Sequence, residues 1–529
     1  MADSSARSTL SVWQPLRRPI FRSLLIADVV SDVGTFMQSV GAAWLMISLN
    51  AGPIYVALIQ TASALPFFIF ALPAGAIGDI ADRRRLILYT EAWMLTVAIA
   101  VAALTITGWI TPLLLLILTF ALSAGDAFET PTWRAVLPEV VPKQDLPAAS
   151  ALNGIEFNFA RAVGPGLAGF VVAAAGVGTA FLLNAASFTG VIAVIARWKR
   201  VVPKRTSPPE TVWGGAVAGL RYLRYSPALR MLLLRTGLVI FFATALTALL
   251  PLVARDIKNS PITFGILLGC FGFGAVVGAV VMQRARARWS AETVVSMGVA
   301  IYGLATIAAS SVRVLAALCA ATFVGGAAWI MFISVVNVFI LNNAPDWVRA
   351  RVLSVSTLVV QGAVAAGSAA WGAVAAHFGL RAALVCAGAG TIATTTLALF
   401  LRLPSATVDV TAWNHWPLPD LDGGALPGGY DSGPVLVTVE YEVAPENAKE
   451  FIKAIRRYGR IRRRDGASRW GIFHDLETAG HYVETFIVSS WAEHLRQHER
   501  MTLADRELEE RLQSYVRGNP SVRHLVSAT

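Results

Sequence analysis

Long stretches of mostly apolar residues recur along the first 402 residues of this chain. A helix of about 20 residues, rising 1.5 Å per residue, is long enough to cross the roughly 30 Å hydrocarbon core of a bilayer. The whole chain of 529 residues is 55% hydrophobic and 15% charged, with a mean hydropathy of +0.60, which is not typical of soluble globular proteins. The sequence therefore predicts an all-α membrane-spanning protein.

The apolar stretches define twelve candidate spans in two sets of six. The first half, residues 23–197, contains spans 23–49, 53–78, 86–108, 111–132, 147–175 and 177–197. The second half, residues 231–402, contains spans 231–254, 262–282, 291–311, 314–340, 353–376 and 381–401. Residues 1–22 precede the first half. A basic segment, residues 198–230, joins the halves and has a helical pattern near Thr211 to Tyr225.

Basic residues lie mainly on one side of the predicted spans. The outer loops hold only Arg255, Lys258, Arg313 and Arg381, whereas the inner segments hold clusters of arginine and lysine. The positive-inside rule then places both termini on the cytoplasmic side of the membrane, which we expect to be a bacterial inner (plasma) membrane. Because the net charge of +11 is spread over loops that flank the membrane, we expect no nucleic-acid partner.

The first apolar stretch is interpreted as a span, because it is too long for a signal-peptide core and no small-residue cleavage site follows it. The three cysteines, Cys270, Cys319 and Cys386, each lie within an apolar stretch and are interpreted as small packing residues. We predict no metal site and no cofactor.

A weak internal repeat accompanies the two sets of spans. At a constant spacing of 203 residues, proline or glycine recurs at four pairs of positions: Pro142 and Pro345, Gly164 and Gly367, Gly169 and Gly372, Gly176 and Gly379. Duplicated six-helix halves are typical of secondary transporters, which bind substrate near the bilayer midplane between the repeats.

The composition changes after the last span. Residues 403–433 form a linker rich in proline and glycine, and residues 434–529 have the composition of a soluble domain. The domain is predicted to run strand, helix, strand, strand, helix, strand, with helices from Pro445 to Arg464 and from Trp491 to about Val516. This is the ferredoxin-like α+β order.

Two histidines, His494 and His498, lie four residues apart on the second predicted helix of this domain. Their neighbours are charged, so we expect a solvated helix face, and no third ligand follows at a spacing characteristic of a metal site.

A charged turn between the second and third spans has the sequence GAIGDIADRRRL, residues 75–86. Gly75 and Gly78 are expected to let helices approach closely, and the arginines suit the anionic headgroup zone. The string resembles the loop motif of the major facilitator superfamily, G-x-L-A-D-R-x-G-R-R, with Gly75 and Asp79 matching and Arg83 and Arg84 in the basic positions. Ile80 and Asp82 depart from that motif. An acid at the latter position is typical of the branch that includes the bacterial enterobactin exporter.

The resemblance implies a twelve-helix major facilitator fold in which this turn is a gating latch formed by Gly75, Asp79, Asp82, Arg83 and Arg84. A plain topological anchor is the alternative explanation of the arginines. Further matches to the same branch extend over residues 15–402 and include the strings FMQSVGAAWLM, GDAFETPTWRAVLPEVV and APDWVRARVLS.

The fifth span contains RAVGPGLAG, in which Gly164, Pro165 and Gly169 resemble the core of a signature of proton-coupled exporters in that superfamily. The alternative is an ordinary packing face of small residues, with Pro165 bending the helix.

Charged residues within the spans are concentrated in the first half. Counted from the cytoplasmic ends, Asp32 and Arg161 lie on the order of 14 and 21 Å deep, where an isolated charge costs several kcal/mol. Our hypothesis is that Asp32, with Glu156, exchanges a proton or a cationic substrate group while Arg161 modulates it or binds an anionic group. The alternative is a permanent structural ion pair.

The shallower acids are expected to be structural. Glu91, Asp126 and Glu129 are expected to reach the interface or to pair with Arg134 and the loop arginines. Asp28 is likewise expected to reach the interface near Arg22 and to have a structural or gating role.

The resemblance implies a transporter rather than an enzyme. It would export a small amphipathic molecule, a siderophore or a drug-like compound, in exchange for protons by alternating access. The soluble domain resembles the dimeric α/β barrels of the antibiotic-biosynthesis monooxygenase type, which implies a homodimer or small-ligand sensing. The alternative functions are a bifunctional or ligand-sensing membrane protein and a transporter that imports.

Overall fold

The structure, a computed structural model, describes residues 12–200, 212–397, 409–413 and 433–527. Within those ranges, thirteen helices precede the soluble domain. The first six are α1 (Pro19–Ser48), α2 (Gly52–Ile80), α3 (Arg83–Ile106), α4 (Pro112–Val140), α5 (Leu146–Ala175) and α6 (Val177–Arg197). They are followed by α7 (Val212–Tyr225), α8 (Pro227–Ile257), α9 (Pro261–Arg288), α10 (Ala291–Ser311), α11 (Leu315–Asn343), α12 (Asp346–Phe378) and α13 (Leu380–Ala393).

The two predicted sets of six helices are confirmed as α1–α6 and α8–α13, and the helix predicted in the connecting segment is α7. Ten helices of the described chain are long and apolar enough to cross a membrane. Within the last predicted span, α13 ends at Ala393, a 3₁₀ turn, Thr394–Thr396, follows it, and Leu397 is again helical. Residues 398–401 of that span lie outside the described residues.

The internal repeat marks equivalent helix junctions in the two halves. Gly176 separates α5 from α6, and Gly379, 203 residues later, separates α12 from α13. Their φ angles are +84° and +87°, a left-handed conformation that favours glycine because it lacks a Cβ atom. The repeated glycines therefore form equivalent turns in the two halves.

The chain divides into two compact units. The first consists of Met1–Pro209, Leu234–Val335 and Thr357–Leu403, and the second of Glu210–Leu233, Val336–Ser356 and Pro404–Thr529. The second unit thus combines the soluble domain with α7 and with parts of α8, α11 and α12.

In the first unit, α5 packs closely against α9 through small residues. A Cβ atom on Gly169 would lie 2.7 Å from the carbonyl oxygen of Pro261 and 3.2 Å from the Cα of Gly265. A Cβ atom on Gly272 would lie 2.6 Å from the carbonyl oxygen of Arg161. Such backbone contacts are how helices associate where no hydrophobic effect drives them together. They join a helix of the first half to a helix of the second.

In the second unit, the soluble domain is a four-stranded antiparallel sheet covered on one face by helices. Its elements are β1 (Val435–Glu442), α14 (Ala448–Asp465), β2 (Arg469–His474), β3 (His481–Val488), α15 (Trp491–Glu499), α16 (Leu503–Gln513) and β4 (Ser521–Val526), and the sheet order is β2-β3-β1-β4. Alternate residues of β1, namely Val435, Val437, Val439 and Tyr441, are buried beneath the helices. The ferredoxin-like prediction is confirmed.

The prediction of a single second helix in the domain is wrong, because the structure has two helices there, α15 and α16. Thr502 interrupts the predicted helix because it is the N-cap residue of α16. Its side chain accepts a hydrogen bond from the backbone N–H of Asp505, and the Asp505 carboxylate accepts one from the backbone N–H of Thr502. This reciprocal capping box starts a new helix within the amphipathic segment.

We expect the Gly169→Leu substitution to lower the free energy of unfolding by about 1–3 kcal/mol, because the side chain would collide with the backbone of α9. Gly166→Leu is the matched control, since no described atom lies within 4 Å of the position of its Cβ. Thermal unfolding in detergent, followed by tryptophan fluorescence, measures both. Equal melting temperatures for the two variants would contradict the proposed packing.

Candidate functional site

A cavity of about 340 Å³ lies within the first unit and is lined by both six-helix halves. Its wall is mainly aliphatic and aromatic, and the polar groups include Gln60, Thr244 and Thr247. Arg161 is the charged side chain among the residues that line it. Val364, which is related to Arg161 by the spacing of 203, also lines the cavity. The repeat therefore places a cation on one side of the cavity and an apolar side chain at the equivalent position.

Hydrogen bonds cross between the halves beside this cavity. The Gln60 side-chain amide on α2 donates to the Thr247 hydroxyl on α8 at 3.2 Å. The neighbouring Thr61 hydroxyl donates to the carbonyl oxygen of Ala365 on α12 at 2.9 Å. The aromatic side chains of Phe271, Tyr302 and Trp329 form another part of the lining. The site can therefore hold a molecule with an apolar or aromatic body and a few hydrogen-bonding groups.

The structure brings together the three residues predicted for proton coupling or substrate binding. The carboxyl groups of Asp32 and Glu156 lie close enough to interact with each other, and Asp32 interacts electrostatically with Arg161. The Arg161 guanidinium also lies 4.8 Å from the centre of the Phe157 ring. Two carboxylates at close range repel each other, so one proton bound between them stabilises the pair. The arrangement can hold a proton next to the cavity.

A second carboxyl pair contradicts the expectation for Glu91 and Glu129. These side chains do not reach the interface, since the residues are only 2% and 8% exposed, and their carboxyl groups lie close enough to interact with each other. The Thr90 hydroxyl donates to Glu129 at 3.1 Å. Asp28 is likewise directed inward, towards Trp133 and Glu129. The packing of α3 against α4 decides this direction, which depth along a helix does not reveal.

Asp126, also expected at the interface, is near Asp32 and bonded to the hydroxyl of Thr130 at 3.1 Å. The acids of the first half thus form one group on α1, α3, α4 and α5. Depth along the helix distinguishes Asp32 from the other acids in the sequence, whereas in the structure these acids are neighbours.

Two of the predicted latch residues, Asp82 and Arg83, belong to a charge network at the end of α4. Glu139 accepts hydrogen bonds from Arg83 at 2.6 Å and from Arg200 at 2.7 Å. Arg200 also contacts Asp82 at 3.2 Å. The backbone N–H of Arg85, together with Arg200, lowers the pKa of Asp82. Sequence reasoning missed Glu139 and Arg200, although both flank the same side of the membrane as the loop.

The remaining loop residues differ in their surroundings. Arg84 donates to the carbonyl oxygens of Ile195 and Ala196 at the end of α6. The close approach expected at Gly75 is wrong, since no described atom lies within 4 Å of the position of its Cβ, whereas a Cβ on Gly78 would lie 3.2 Å from the Thr132 hydroxyl. The side chain of Asp79 lies outside the described residues.

The three residues of the exporter-like segment on α5 lie at helix contacts. A Cβ atom on Gly164 would lie 2.7 Å from the Cβ of Phe36 on α1, and Gly169 contacts α9 as described above. Pro165 lies inside α5 and lines the cavity. The segment therefore places α5 between α1, α9 and the cavity.

The expectation of a solvated histidine face in the soluble domain is wrong. His494 is 2% exposed, its ring lies 5.3 Å from that of Trp491, and its Nε2 atom is 3.1 Å from Nε2 of His498. Burial, followed by the neighbouring His498, lowers the pKa of His494 to about 3, so the ring is neutral at pH 7. The helix turns this side towards the sheet, because Trp491 and Gln497 are buried there as well.

The comparisons with known proteins place these features in context. A family model described as "Transmembrane secretion effector" matches residues 10–529. The multidrug efflux pump Tap of Mycolicibacterium fortuitum is 26% identical over 72% of this chain and 94% of its own length. The staphyloferrin A transporter of Staphylococcus aureus is 22% identical over 70% of this chain and 93% of its own length.

Solved transporter structures share the fold. A bacterial homologue of the human lysosomal transporter Spinster, solved in an inward-facing and unoccupied conformation, aligns with a TM-score of 0.59 at 13% identity. The alignment covers 73% of this chain and 96% of that structure.

We expect Glu139→Gln to lower the free energy of unfolding by about 2 kcal/mol, because it leaves two partly buried arginines without their shared carboxylate. Asp346→Asn is the control, since the Asp346 side chain is 89% exposed and its ion pair with Arg349 is expected to contribute less than about 1 kcal/mol. Thermal unfolding in detergent measures both. A shift for Asp346→Asn as large as that for Glu139→Gln would contradict the network.

Proposed function

The chain belongs to the transmembrane secretion effector family of major facilitator transporters, and on that premise we propose that it exports small amphipathic molecules from the cytoplasm of a bacterial cell. Siderophores and drug-like compounds are the proposed substrate classes, in keeping with the names of the relatives. The observation that carries the proposal is the cavity lined by both halves, with an aromatic wall and Arg161. Such a site between repeats suits alternating access.

Proton antiport is proposed from the groups beside this cavity. A cationic group bound in the cavity would repel the proton shared by Asp32 and Glu156, because like charges disfavour each other at short range. Arg161 would hold Asp32 in place and present its guanidinium to the substrate. Proton and substrate would then occupy the site in turn, and this alternation couples their opposite movements.

The remaining assignments follow from the positive-inside pattern and the family resemblance. Both termini are proposed to lie in the cytoplasm, with the transporter in the inner (plasma) membrane. Gly75, Asp79, Asp82, Arg83 and Arg84 are proposed as gating residues. Residues 23–197 and 231–402 are proposed as the two transmembrane halves, and residues 434–529 as the soluble domain.

A homodimer through the soluble domain is proposed from the face of its sheet that the described helices leave uncovered. Phe473 and Leu525 are 59% and 52% exposed on that face. Arg523 and Glu440 lie 3.7 Å apart beside them. A two-fold-related copy could bury the apolar side chains and place each arginine near a glutamate of its partner.

We expect Asp32→Asn to lose proton-driven export while retaining exchange, because an amide cannot carry the proton but leaves the cavity intact. Everted membrane vesicles with an acidic interior are given ethidium or staphyloferrin A, and accumulation is followed with and without the gradient. The variant should reduce gradient-driven accumulation roughly tenfold or more. Exchange of labelled for unlabelled probe, without a gradient, should remain.

Asp256→Asn is the control for this experiment, because Asp256 is a half-exposed residue at the end of α8, paired with the adjacent Arg255. It should accumulate probe like the unaltered protein. Full gradient-driven accumulation by Asp32→Asn would exclude Asp32 as the proton carrier. Failure of the unaltered protein to move any probe would count against export of these classes.

We expect Phe473→Asp to convert a dimer of the full chain in detergent into a monomer, because it places a charge in the apolar face. Leu476→Asp is the control, since Leu476 is 95% exposed in the turn after β2. Size-exclusion chromatography with light scattering gives both masses. A monomeric unaltered chain, or a dimer that survives Phe473→Asp, would contradict this interface.

A further inference from the structure

The soluble domain is held against α7 within the second unit. Arg221 of α7 donates a hydrogen bond to the Glu493 carboxylate of α15 at 3.0 Å. The α14 helix packs on α7 as well. The domain is therefore docked on the segment that connects the two transmembrane halves, rather than only tethered by the linker at 403–433.

The charge of Glu493 is fixed by three arginines. Arg500 donates to Glu493 at 2.6 Å and Arg496 at 3.0 Å, in addition to Arg221. Burial opposes ionisation, but the arginines outweigh it and hold the pKa of Glu493 below its ordinary value. A lowered pKa means that this ion pairing is present above the ordinary carboxyl pKa and is lost only in acid below it. The contact is thus fully formed at neutral pH.

A second set of contacts reaches the first turn of α12. The Arg500 guanidinium lies 4.6 Å from the ring centre of Trp347, and the Arg464 guanidinium lies 5.4 Å from that of Tyr222. Tyr222 and Trp347 meet edge to face with ring centres 5.6 Å apart. Cation–π contacts of this kind are stronger when desolvated, and Tyr222 is buried.

These six residues form a closed set of contacts, the docking ring: Arg221, Tyr222, Trp347, Arg464, Glu493 and Arg500. Two of them lie on α7, one near the start of α12 and three in the soluble domain. The ring therefore binds α7 and the start of α12 to the soluble domain. Two of the bonded arginines, Arg464 and Arg500, are themselves fixed by carboxylates of the domain.

We propose that the docking ring is an autoinhibitory clamp by which the soluble domain slows the transport cycle. The proposal rests on the proposed function, because only a transporting chain can be slowed. Alternating access requires helix ends and the segment between the halves to move relative to one another. A contact made in one conformation stabilises that conformation, and the cycle must then break the contact to proceed.

The relatives support a role beyond the basic cycle. Their alignments cover 70–74% of this chain but 93–94% of their own lengths. The part of this chain that they leave out is comparable in length to the linker and soluble domain together. Relatives of that shorter length are named as transporters, so an addition of this size suits a regulatory role.

The test uses the full chain in proteoliposomes with ethidium as the probe. Arg221→Glu is expected to speed proton-driven ethidium transport roughly fivefold or more, because it places like charges together at the ring. Arg221→Lys should remain close to the unaltered protein. Arg224→Glu is the matched control, since Arg224 is exposed on the same helix and carries the same charge. Trp347→Ala tests the ring from its other side and should also speed transport.

A second readout does not depend on transport. Hydrogen–deuterium exchange of residues 219–225 and 344–356 should be faster in Arg221→Glu and unchanged in Arg224→Glu. Unchanged exchange in Arg221→Glu and in Trp347→Ala would overturn the docking. Faster exchange with unchanged or slower transport would overturn the inhibitory role.

The two failures can be told apart. If Arg221→Glu transports ethidium and the unaltered protein does not, the result would support the clamp. No transport by either protein would overturn the proposed function, and the clamp with it, whatever the exchange data show about docking.

Discussion

An ionised side chain in the hydrocarbon core of a membrane needs a partner or water, and the first half of this chain is organised around that requirement. Asp32 faces Glu156 and Arg161, while Glu91 faces Glu129. Each pair joins two helices, α1 to α5 and α3 to α4. Because the acids are turned inward, the outer surfaces of these helices can be apolar, and the polar interior lies beside the cavity that Arg161 lines.

The two halves share a backbone plan but differ in chemistry. Gly176 and Gly379 make the same left-handed turn, 203 residues apart. At that spacing Asp32 corresponds to Arg235, which forms an ion pair of 2.6 Å with Glu292, whereas Asp32 lies beside a second carboxyl group. Glycines that shape the backbone are thus repeated, whereas groups that can carry protons are concentrated on one side. One half therefore holds the buried acids of the described spans, while both halves supply the cavity wall.

In the soluble domain, too, the sequence pattern predicts the backbone structure but not which polar side chains contact each other. Strict alternation in β1 predicts a sheet with one buried face, and the structure has it. Buried polar residues then complete the interior: the Glu484 carboxylate accepts hydrogen bonds from Tyr441 at 2.9 Å and from Trp470 at 2.7 Å. None of these contacts is between neighbours in sequence. Glu493 and Arg500 then contact Arg221 of α7 and Trp347, respectively, and these contacts hold the domain against α7 and the start of α12.

The sequence by itself determined the number and order of the helices, the connecting helix α7, and the ferredoxin-like order of the soluble domain. Those features depend on hydropathy, alternation and turn residues, which act over a few positions. Tertiary structure alone decided which acids pair, because length along a helix gives depth but not the direction in which a side chain points. It turned Glu91, Glu129 and His494 inward, against expectation, and it brought Glu139 to Arg83 and Arg200 from distant parts of the chain.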